Sequence, residues 1–355
     1  MAANNYFALL MAGGIGSRFW PESTPEQPKQ FLDLFNVGRS LLQQTYERIR
    51  LIVPHEHIYI LTAAEYKEQI RQHLPNLLPE QIICEPIQRN TAPCNLVGAL
   101  KIHALNPEAK ILVSPTDHLI HDTAAFKTDV TQAFELTNDN NLITFGVQPE
   151  YPATGYGYIQ RNDKNQMSTV VTFKEKPSYA LANQYVQSGN YLWNAGIFVW
   201  STKAILSAFK KFEPQMFAAM TPTNHVWQSS SDQDFIDREF SKLTNISIDY
   251  AILERSNSVY VIQASFDWND LGSWSALYKE MEKDIHGNVS IQGDLFADSS
   301  KNNLIKTQPG KKVLLVGLED YIVLEKEDTL VIVPKSKDQL FKQYSKAAQK
   351  HWDKS

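Results

Sequence analysis

The sequence predicts an α/β fold in which helices flank a mixed, mainly parallel sheet. Short apolar runs alternate with helical patterns between residues 6 and 147, and this alternation is typical of βαβ units. Apolar side chains recur at helical spacing, clearly at Leu41, Leu42, Tyr46 and Ile49 and less regularly over 126–137. The predicted strands are residues 6–11, 57–62, 81–84, 110–113 and 142–147. A nucleotide site in such a sheet lies beyond the carboxyl ends of its strands.

The rest of the chain predicts a substrate-binding part and a separate tail. Residues 155–278 combine helical patterns with predicted strands near 158–160, 169–173 and 196–200. After residue 283, short strands separated by tight turns are predicted at 288–290, 293–296, 313–316, 321–324 and 329–333, and a helix is predicted from about residue 338. A chain of 355 residues is long enough for more than one domain. We therefore expect a main domain at 1–283 and a small β-rich C-terminal domain at 284–355.

The composition disfavours several classes of protein. A net charge of −5 argues against a nucleic-acid surface, which needs a basic stripe. The N-terminal apolar run is too short for a membrane span, and no basic residue precedes it as in a signal peptide. The two cysteines, Cys84 and Cys94, suit a reducing compartment. We expect a cytoplasmic protein with no nucleic-acid partner and no membrane partner.

A glycine-rich segment after the first predicted strand has the composition of a phosphate-binding loop. It contains Gly13, Gly14 and Gly16, followed by the cations Arg18 and Lys29. Glycine permits positive φ and a close approach of backbone N–H groups to phosphate oxygens. The alternative is an ordinary turn between a strand and a loop, because turns also use glycine and proline.

The spacing in this segment differs from that of the two common nucleotide-binding loops. The dinucleotide-binding motif has a third glycine where Phe19 stands, and the P-loop ends in Gly-Lys-Ser or Gly-Lys-Thr, which this sequence lacks. Both loops lead directly into a helix, whereas Pro21, Pro25 and Pro28 disfavour a long helix here. We therefore expect side-chain cations and a metal ion to hold the phosphates.

Two aspartates are candidates for a metal site. Asp117 follows a predicted strand in the sequence PTDH, and Asp270 lies in the sequence FDWNDLGSW. Magnesium usually takes one or two carboxylates from the protein and its other ligands from phosphates and water. The alternative is that each aspartate caps a helix. His118 and His121 raise the question of zinc, but no third ligand at a characteristic spacing accompanies them.

Three motifs in the 155–278 part have chemistry suited to a phosphorylated sugar. The sequence TGYGYI combines small residues with aromatic rings that can cover a sugar face. The sequence KEKP supplies Glu175 as a hydroxyl acceptor and Lys176 as a cation, and WNAG supplies the Asn194 amide. Each motif alone is unspecific. The composition of TGYGYI is also that of a hairpin turn, that of KEKP is also that of a solvent-exposed run of charges, and that of WNAG is also that of the start of a strand.

In this order along residues 8–274, the motifs closely resemble those of mannose-1-phosphate guanylyltransferases. The matching segments are the glycine-rich loop, PKQF, RNTAP, PTDH, GYGY, EKP, WNAG and WNDLGSW. The resemblance implies a nucleotide-diphospho-sugar transferase fold, which is Rossmann-like, with residues 1–283 as the catalytic domain. It also implies synthesis of GDP-mannose and pyrophosphate from GTP and mannose 1-phosphate, with Mg²⁺ as the cofactor.

The resemblance further implies roles for individual residues. Those expected around the triphosphate are Gly13, Gly14, Gly16, Ser17 and Arg18, with Lys29 at the reacting phosphates. Those expected near the guanosine are Glu85, Asn90 and Thr91. Those expected to hold Mg²⁺ are Asp117 and Asp270. Those expected to meet the sugar phosphate are Gly155, Glu175, Lys176 and Asn194.

The chain departs from the family pattern in two respects. Family loops often carry an arginine where Thr24 stands, so one expected phosphate contact is missing. Many bacterial relatives continue into a cupin-like isomerase domain, and this sequence stops before one, so isomerase activity is not expected. The β-rich tail is a candidate for a dimerisation element or a lid, and a homodimer is one expectation.

Three other functions stay open at the level of sequence. Another sugar-1-phosphate nucleotidyltransferase would share the chemistry. A catalytically silent regulatory subunit that binds sugar nucleotides would not need Arg18, Lys29, Asp117 and Asp270, all of which are present. A nicotinamide oxidoreductase would need the glycine that Phe19 replaces.

Overall fold

The computed structural model describes residues 5–14 and 16–352. The chain divides into two compact units. The first unit comprises Met1–Gly13, Thr45–Thr116 and Ile120–Trp268, and the second comprises Gly14–Gln44, Asp117–Leu119 and Asn269–Ser355. The second unit thus combines the β-rich tail with most of the glycine-rich segment and with Asp117. The expected boundary at 283/284 differs from this division and stays a prediction about folding domains.

The first unit is built on one large mixed sheet. Its described strands are β1 (Tyr6–Ala12), β2 (Ile58–Ala63), β3 (Ile82–Glu85), β4 (Lys110–Pro115), β5 (Leu142–Val147), β6 (Gly157–Arg161), β7 (Met167–Glu175), β8 (Tyr191–Ser201) and β9 (Val259–Gln263). Their order is β3-β2-β1-β4-β8-β5-β9-β7-β6. Strands β1 to β4 are parallel neighbours, and β8 joins the sheet antiparallel to β4 and β5. The predicted α/β class is therefore confirmed.

Helices cover this sheet because its central strands are apolar on both faces. Strand β2 is buried along its whole length, and Leu9 and Leu10 of β1 are fully buried. The α-helices of the described chain are α1 (Leu41–Arg50), α2 (Lys67–His73), α3 (Thr91–Leu105), α4 (Thr123–Leu136), α5 (Tyr179–Ser188), α6 (Thr202–Phe212), α7 (Pro214–Met220), α8 (Asp232–Glu239), α9 (Trp274–Glu280) and α10 (Phe341–Trp352). A π-helix, Asp249–Leu253, precedes β9.

The second unit has its own core and its own sheets. Its described strands are β10 (Val289–Ile291), β11 (Asp294–Asp298), β12 (Leu304–Lys306), β13 (Lys312–Val316), β14 (Tyr321–Lys326) and β15 (Thr329–Pro334). A sheet of order β10-β12-β14-β15 packs through Leu304 and Ile322 against Phe19, Trp274 and Phe341, all of them buried. The core explains why the segment around Phe19 belongs to this unit.

Most predicted elements are found within a residue or two of their expected bounds. Strands β1 to β5 match the predicted ones, and α10 follows a 3₁₀-helix at Lys335–Leu340, so the helical tail is also confirmed. The prediction missed β9 and β12. Strand β12 is only Leu304–Lys306, which is too short to show the alternation that marks a strand.

Within the described part of the chain, no helix combines the length and the apolar character that crossing a membrane requires.

Gly146 provides a test of the packing within the large sheet. It lies on β5 between β8 and β9, and a Cβ atom there would come 2.8 Å from the Leu192 Cβ and 2.8 Å from the Val261 Cγ2. We predict that Gly146→Ala lowers the free energy of unfolding by about 1–3 kcal/mol, because both neighbours are buried and must shift. Urea denaturation measures the change.

Gly155→Ala is the matched control for this substitution. A Cβ at Gly155 meets nothing within 4 Å, so its effect on stability should be small. Equal unfolding free energies for Gly146→Ala and the parent protein would contradict the tight packing around β5.

Candidate active site

A polar cavity of about 270 Å³ lies within the second unit. Six of the residues lining it are among those expected to bind the triphosphate or the metal, namely Gly16, Ser17, Arg18, Lys29, Asp117 and Asp270. His118 and Lys342 also line it. The structure therefore brings together residues from four distant segments of the sequence.

Gly16 has a packing role that the sequence did not reveal. Its φ is +70°, and a Cβ added there would collide with the Cβ of Lys29. Gly13 and Gly14 do not have positive φ, and a Cβ at either would meet nothing within 4 Å. The expectation of positive φ thus holds for Gly16 alone of the three, because there the backbone turns close to the lysine stem.

Lys29 is buried and connects two walls of the cavity. Its side chain is 4% exposed, and its Nζ donates to the Asp117 Oδ2 at 3.1 Å and to the Asp270 carbonyl oxygen at 2.8 Å. A buried ammonium needs such partners, because burial of an unpaired charge is strongly unfavourable. The 3₁₀-helix at Lys29–Phe31 presents the side chain, so a single turn positions the cation.

Asp117 is held in its ionised form by its neighbours. Burial acts to raise the pKa of its carboxyl, but the charges of Lys29 and His118 and the hydrogen bond from Lys29 lower the pKa below its usual value. The His118 Nε2 lies 3.8 Å from the Asp117 Oδ1. Asp117 therefore offers a carboxylate, not a carboxylic acid, to the cavity.

Neither aspartate is a helix cap. The cap of α4 is Asp122, whose side chain accepts from the Ala125 N–H, and the cap of α9 is Ser273. Asp270 instead accepts a hydrogen bond at its Oδ1 from the Gly272 N–H at 3.1 Å, which fixes the turn before α9. The capping interpretation of Asp117 and Asp270 is thus wrong.

Arg18 and Thr24 occupy different positions in the glycine-rich segment. Arg18 is exposed in the cavity wall, and its Nη1 donates to the Gly272 carbonyl oxygen at 3.5 Å, a long hydrogen bond. Thr24 closes a tight turn, in which its hydroxyl accepts from the Gln27 N–H at 3.1 Å. Of these two residues, Arg18 is therefore the one that a ligand in the cavity would contact.

The residues expected near guanosine lie at the carboxyl edge of the parallel strands in the first unit. Gly13 follows β1, Glu85 ends β3, and Gln88 links the two segments by donating from its Nε2 to the Gly13 carbonyl oxygen at 3.1 Å. Asn90 has a φ of 64° and caps α3 through a bond from the Thr91 N–H. Asn90 and Thr91 therefore shape this loop.

Glu85 has an unusual protonation equilibrium. Burial raises the pKa of its carboxyl from 4.5 to about 7, while a hydrogen bond from the Cys94 thiol acts in the opposite direction. Its side chain is among the buried polar groups of the unit. A carboxyl group with this pKa changes its charge near neutral pH.

The residues expected to meet the sugar phosphate lie together in the first unit. Glu175 ends β7, opposite Gly157 of β6, and a Cβ at Gly157 would collide with the Glu175 carboxylate. The Lys176 Nζ pairs with the Glu175 Oε1 at 2.6 Å. The Asn194 Oδ1 accepts from the Thr144 hydroxyl at 3.1 Å, which orients the amide. Gly155 lies two residues before β6.

Asp249 is a member of this group that the sequence prediction missed. Its Oδ1 accepts a hydrogen bond from the Asn194 Nδ2 at 3.2 Å. Burial and the nearby Glu175 raise the pKa of its carboxyl to about 6. Asp249 begins the π-helix, a rare element that occurs often at functional sites, and its sequence SIDYA gives no chemical signal of its own.

Asp117 and Asp270 fit the donor set expected for a magnesium ion. Asp117 and Asp270 line one cavity, and the former is ionised. Among the described residues, no group of three or more His, Cys, Asp or Glu side chains is placed to hold a metal ion. Magnesium commonly takes one or two carboxylates from a protein and its other ligands from phosphates and water.

Comparison with known proteins identifies the family. Residues 7–287 match the family model described as Nucleotidyl transferase. The chain belongs to this family. The mannose-1-phosphate guanylyltransferase of Escherichia coli is 35% identical over 340 residues, which cover 93% of this chain and 71% of the relative. The alginate biosynthesis protein AlgA of Pseudomonas aeruginosa is 34% identical over 344 residues, covering 93% and 69%.

A solved structure supports the same assignment. The crystal structure of mannose-1-phosphate geranyltransferase from Thermus thermophilus superposes with a TM-score of 0.85 at 28% identity, over 97% of this chain and 99% of that one. The predicted nucleotidyltransferase fold and the resemblance to mannose-1-phosphate guanylyltransferases are therefore confirmed. The roles of individual residues stay predictions.

Glu85 gives this nucleotidyltransferase a testable dependence of stability on pH. Its folded-state pKa of about 7 lies above the ordinary value of 4.5, so the folded state binds the proton more tightly. Its stabilising contribution is complete below pH 4.5 and is lost as the pH rises through 7. We predict that Glu85→Gln is more stable than the parent by about 2–3 kcal/mol at pH 8 and nearly equal at pH 4.5.

Urea denaturation at a series of pH values measures this difference. Glu56→Gln, which alters an exposed carboxyl in a 3₁₀-helix, is the control and should show no such trend. A stability difference for Glu85→Gln that does not change with pH would show that burial does not raise the pKa of Glu85.

Proposed function

We propose that the protein transfers GMP from GTP to α-D-mannose 1-phosphate and releases pyrophosphate. The observation that carries the proposal is the cavity in which Lys29 joins Asp117 to the Asp270 backbone beside Arg18. This arrangement suits a polyphosphate and its metal ion. The similarity to mannose-1-phosphate guanylyltransferases over 93% of the chain selects the substrates within the family.

The reaction is a displacement at the α-phosphorus of GTP. A phosphate oxygen of mannose 1-phosphate forms the new P–O bond, and the bond from the α-phosphorus to the oxygen bridging to the β-phosphorus breaks. The electron pair of that bond leaves with pyrophosphate. The attacking dianion already carries its charge, so the protein needs no general base, and its task is positioning and electrostatic stabilisation.

The cations of the cavity would bind the triphosphate. Arg18 lies exposed in the wall and can offer its guanidinium to phosphate oxygens in a fork geometry. Lys29 is already paired with Asp117, so it would act mainly on charge that develops at the reacting phosphate. The backbone N–H groups of Gly14, Gly16 and Ser17 are the further donors of this segment.

Asp117 and Asp270 are the residues that would hold Mg²⁺. The ion would supply positive charge that offsets the repulsion between two polyanions. Lys29 supports both aspartates. Its hydrogen bond to Asp117 keeps that carboxylate ionised, and its hydrogen bond to the Asp270 carbonyl oxygen fixes the backbone that carries the second carboxylate.

The remaining residues would select the sugar and the base. The Glu175 carboxylate accepts hydrogen bonds from sugar hydroxyls, the Lys176 cation meets the sugar phosphate, and the oriented Asn194 amide bridges hydroxyls. Glu85 would accept from the donor edge of guanine. The cytoplasmic location and the homodimer stay predictions.

A matrix of substrates tests the proposed function. Pyrophosphate release is measured with ATP, CTP, GTP and UTP, each combined with mannose 1-phosphate or glucose 1-phosphate. GTP with mannose 1-phosphate should give the highest kcat/KM. A higher value for another pair would indicate a different sugar nucleotidyltransferase, and no release from any pair would favour a regulatory subunit.

We predict that Asp117→Asn lowers kcat by about a hundredfold or more and raises the Mg²⁺ concentration needed for half-maximal rate. The amide keeps the shape of the side chain but loses its charge. Steady-state rates over a Mg²⁺ titration measure both effects, and circular dichroism checks the fold. Lys29→Met, which retains the buried stem without the ammonium, should lower kcat by a similar factor.

Asp294→Asn is the matched control, since it removes an exposed carboxylate on β11. Its rate and Mg²⁺ dependence should equal those of the parent. Near-normal turnover in a folded Asp117→Asn protein would remove Asp117 from the metal site.

A further inference from the structure

The C-terminal helix contributes a cation to the phosphate cavity. Lys342 lines the cavity together with Arg18, Lys29, Asp117 and Asp270, although it lies far beyond them in sequence. It is the second residue of α10, within the tail that follows the matched family region of residues 7–287. The tail therefore takes part in the site as well as in the core of the second unit.

The backbone that carries Lys342 is fixed against the wall of the cavity. Phe341 is 1% exposed and packs in the core of the unit. The Asp338 Oδ2 accepts a hydrogen bond from the Ser275 N–H at 2.9 Å, which joins the 3₁₀-helix before α10 to α9. Helix α10 also packs against the turn at Ser17–Phe19. These contacts hold the backbone of Lys342 in place beside the turn that carries Arg18.

Lys342 changes the sum of the side-chain charges in the cavity. Arg18, Lys29 and Lys342 face two carboxylates, Asp117 and Asp270. Without Lys342 the charges of the other four side chains would cancel, and with it the five sum to one positive charge, to which His118 in the same wall adds no negative charge. Lys29 is buried and paired with Asp117, whereas Lys342 and Arg18 are exposed. Exposed cations suit a group that must enter and leave.

We propose that Lys342 binds the pyrophosphate part of the nucleotide, which is the leaving group of the forward reaction and a substrate of the reverse one. Together with Arg18 it grips the β- and γ-phosphates, while Lys29 stays with the carboxylates at the reacting phosphorus. The tail helix then acts as a substrate-binding element. The role given to Lys342 in turnover rests on the proposed function, but its affinity for pyrophosphate does not.

Isothermal titration of the full chain with inorganic pyrophosphate tests the inference directly. Loss of one charge-assisted contact should weaken binding about tenfold in Lys342→Ala. Lys342→Arg should keep the affinity within about threefold, because the charge remains. Lys342→Gln removes the charge but keeps most of the aliphatic side chain, and its affinity for pyrophosphate should equal that of Lys342→Ala. Equal affinities would show that the loss of charge, and not a loss of helix packing, weakens binding.

Lys346→Ala is the matched control, since Lys346 lies one turn further along the same face of α10 and is exposed. It should bind pyrophosphate as the parent does. Unchanged affinity in both Lys342→Ala and Lys342→Gln would overturn the proposal. Equal weakening in Lys346→Ala would also overturn it, because it would show a general effect of surface charge.

Kinetics separate this proposal from the proposed function. Lys342→Ala should raise the KM for GTP about tenfold and leave the KM for mannose 1-phosphate unchanged. In the reverse direction, the KM for pyrophosphate should rise while that for GDP-mannose stays within about twofold. If the parent protein makes no GDP-mannose, the proposed function fails, and the pyrophosphate titration still decides the role of Lys342.

Discussion

The contact of the Lys29 ammonium with Asp117 and the Asp270 backbone is the interaction on which the candidate site depends. It joins three segments that are distant in sequence, at 3.1 Å to the carboxylate and 2.8 Å to the carbonyl oxygen. Gly16 makes the contact sterically accessible, because a side chain there would collide with the lysine stem. The same bond lowers the pKa of Asp117 against the effect of burial. One buried cation thus holds the Asp270 backbone in place and keeps the Asp117 carboxylate ionised.

The β-rich tail of the second unit forms part of the core and also lines the candidate site. Its core buries Phe19 of the glycine-rich segment with Trp274 and Phe341, so the loop is shaped by packing against the tail. A three-residue 3₁₀-helix, Ser17–Phe19, follows the glycines, so packing against the tail and not a long helix holds this segment in place. The tail supplies that support and places Lys342 in the cavity wall.

In the first unit, the polar side chains expected to bind the sugar and the base lie on or beside the large sheet. Asn194 is oriented by Thr144 and Asp249, and Glu175 occupies the space left by Gly157. Glu85 and Asp249 both have raised pKa values because they are buried. Carboxyl groups whose pKa is raised by burial lower the free energy of unfolding at neutral pH, and such groups are common at functional sites.

Patterns along the chain were enough to predict the α/β class, the family and most of the cavity residues. Strands β1 to β5 are strongly apolar, and the glycine-rich segment, Asp117 and Asp270 lie in motifs whose order is specific. Contacts between distant segments pack Phe19 against the tail, place Asp249 beside Asn194 and bring Lys342 into the cavity wall, and no pattern along the chain predicted them. Local periodicity reports which residues are buried within an element. It carries no information on long-range contacts, and an exposed lysine on a helix has the same local pattern whether it faces solvent or a ligand.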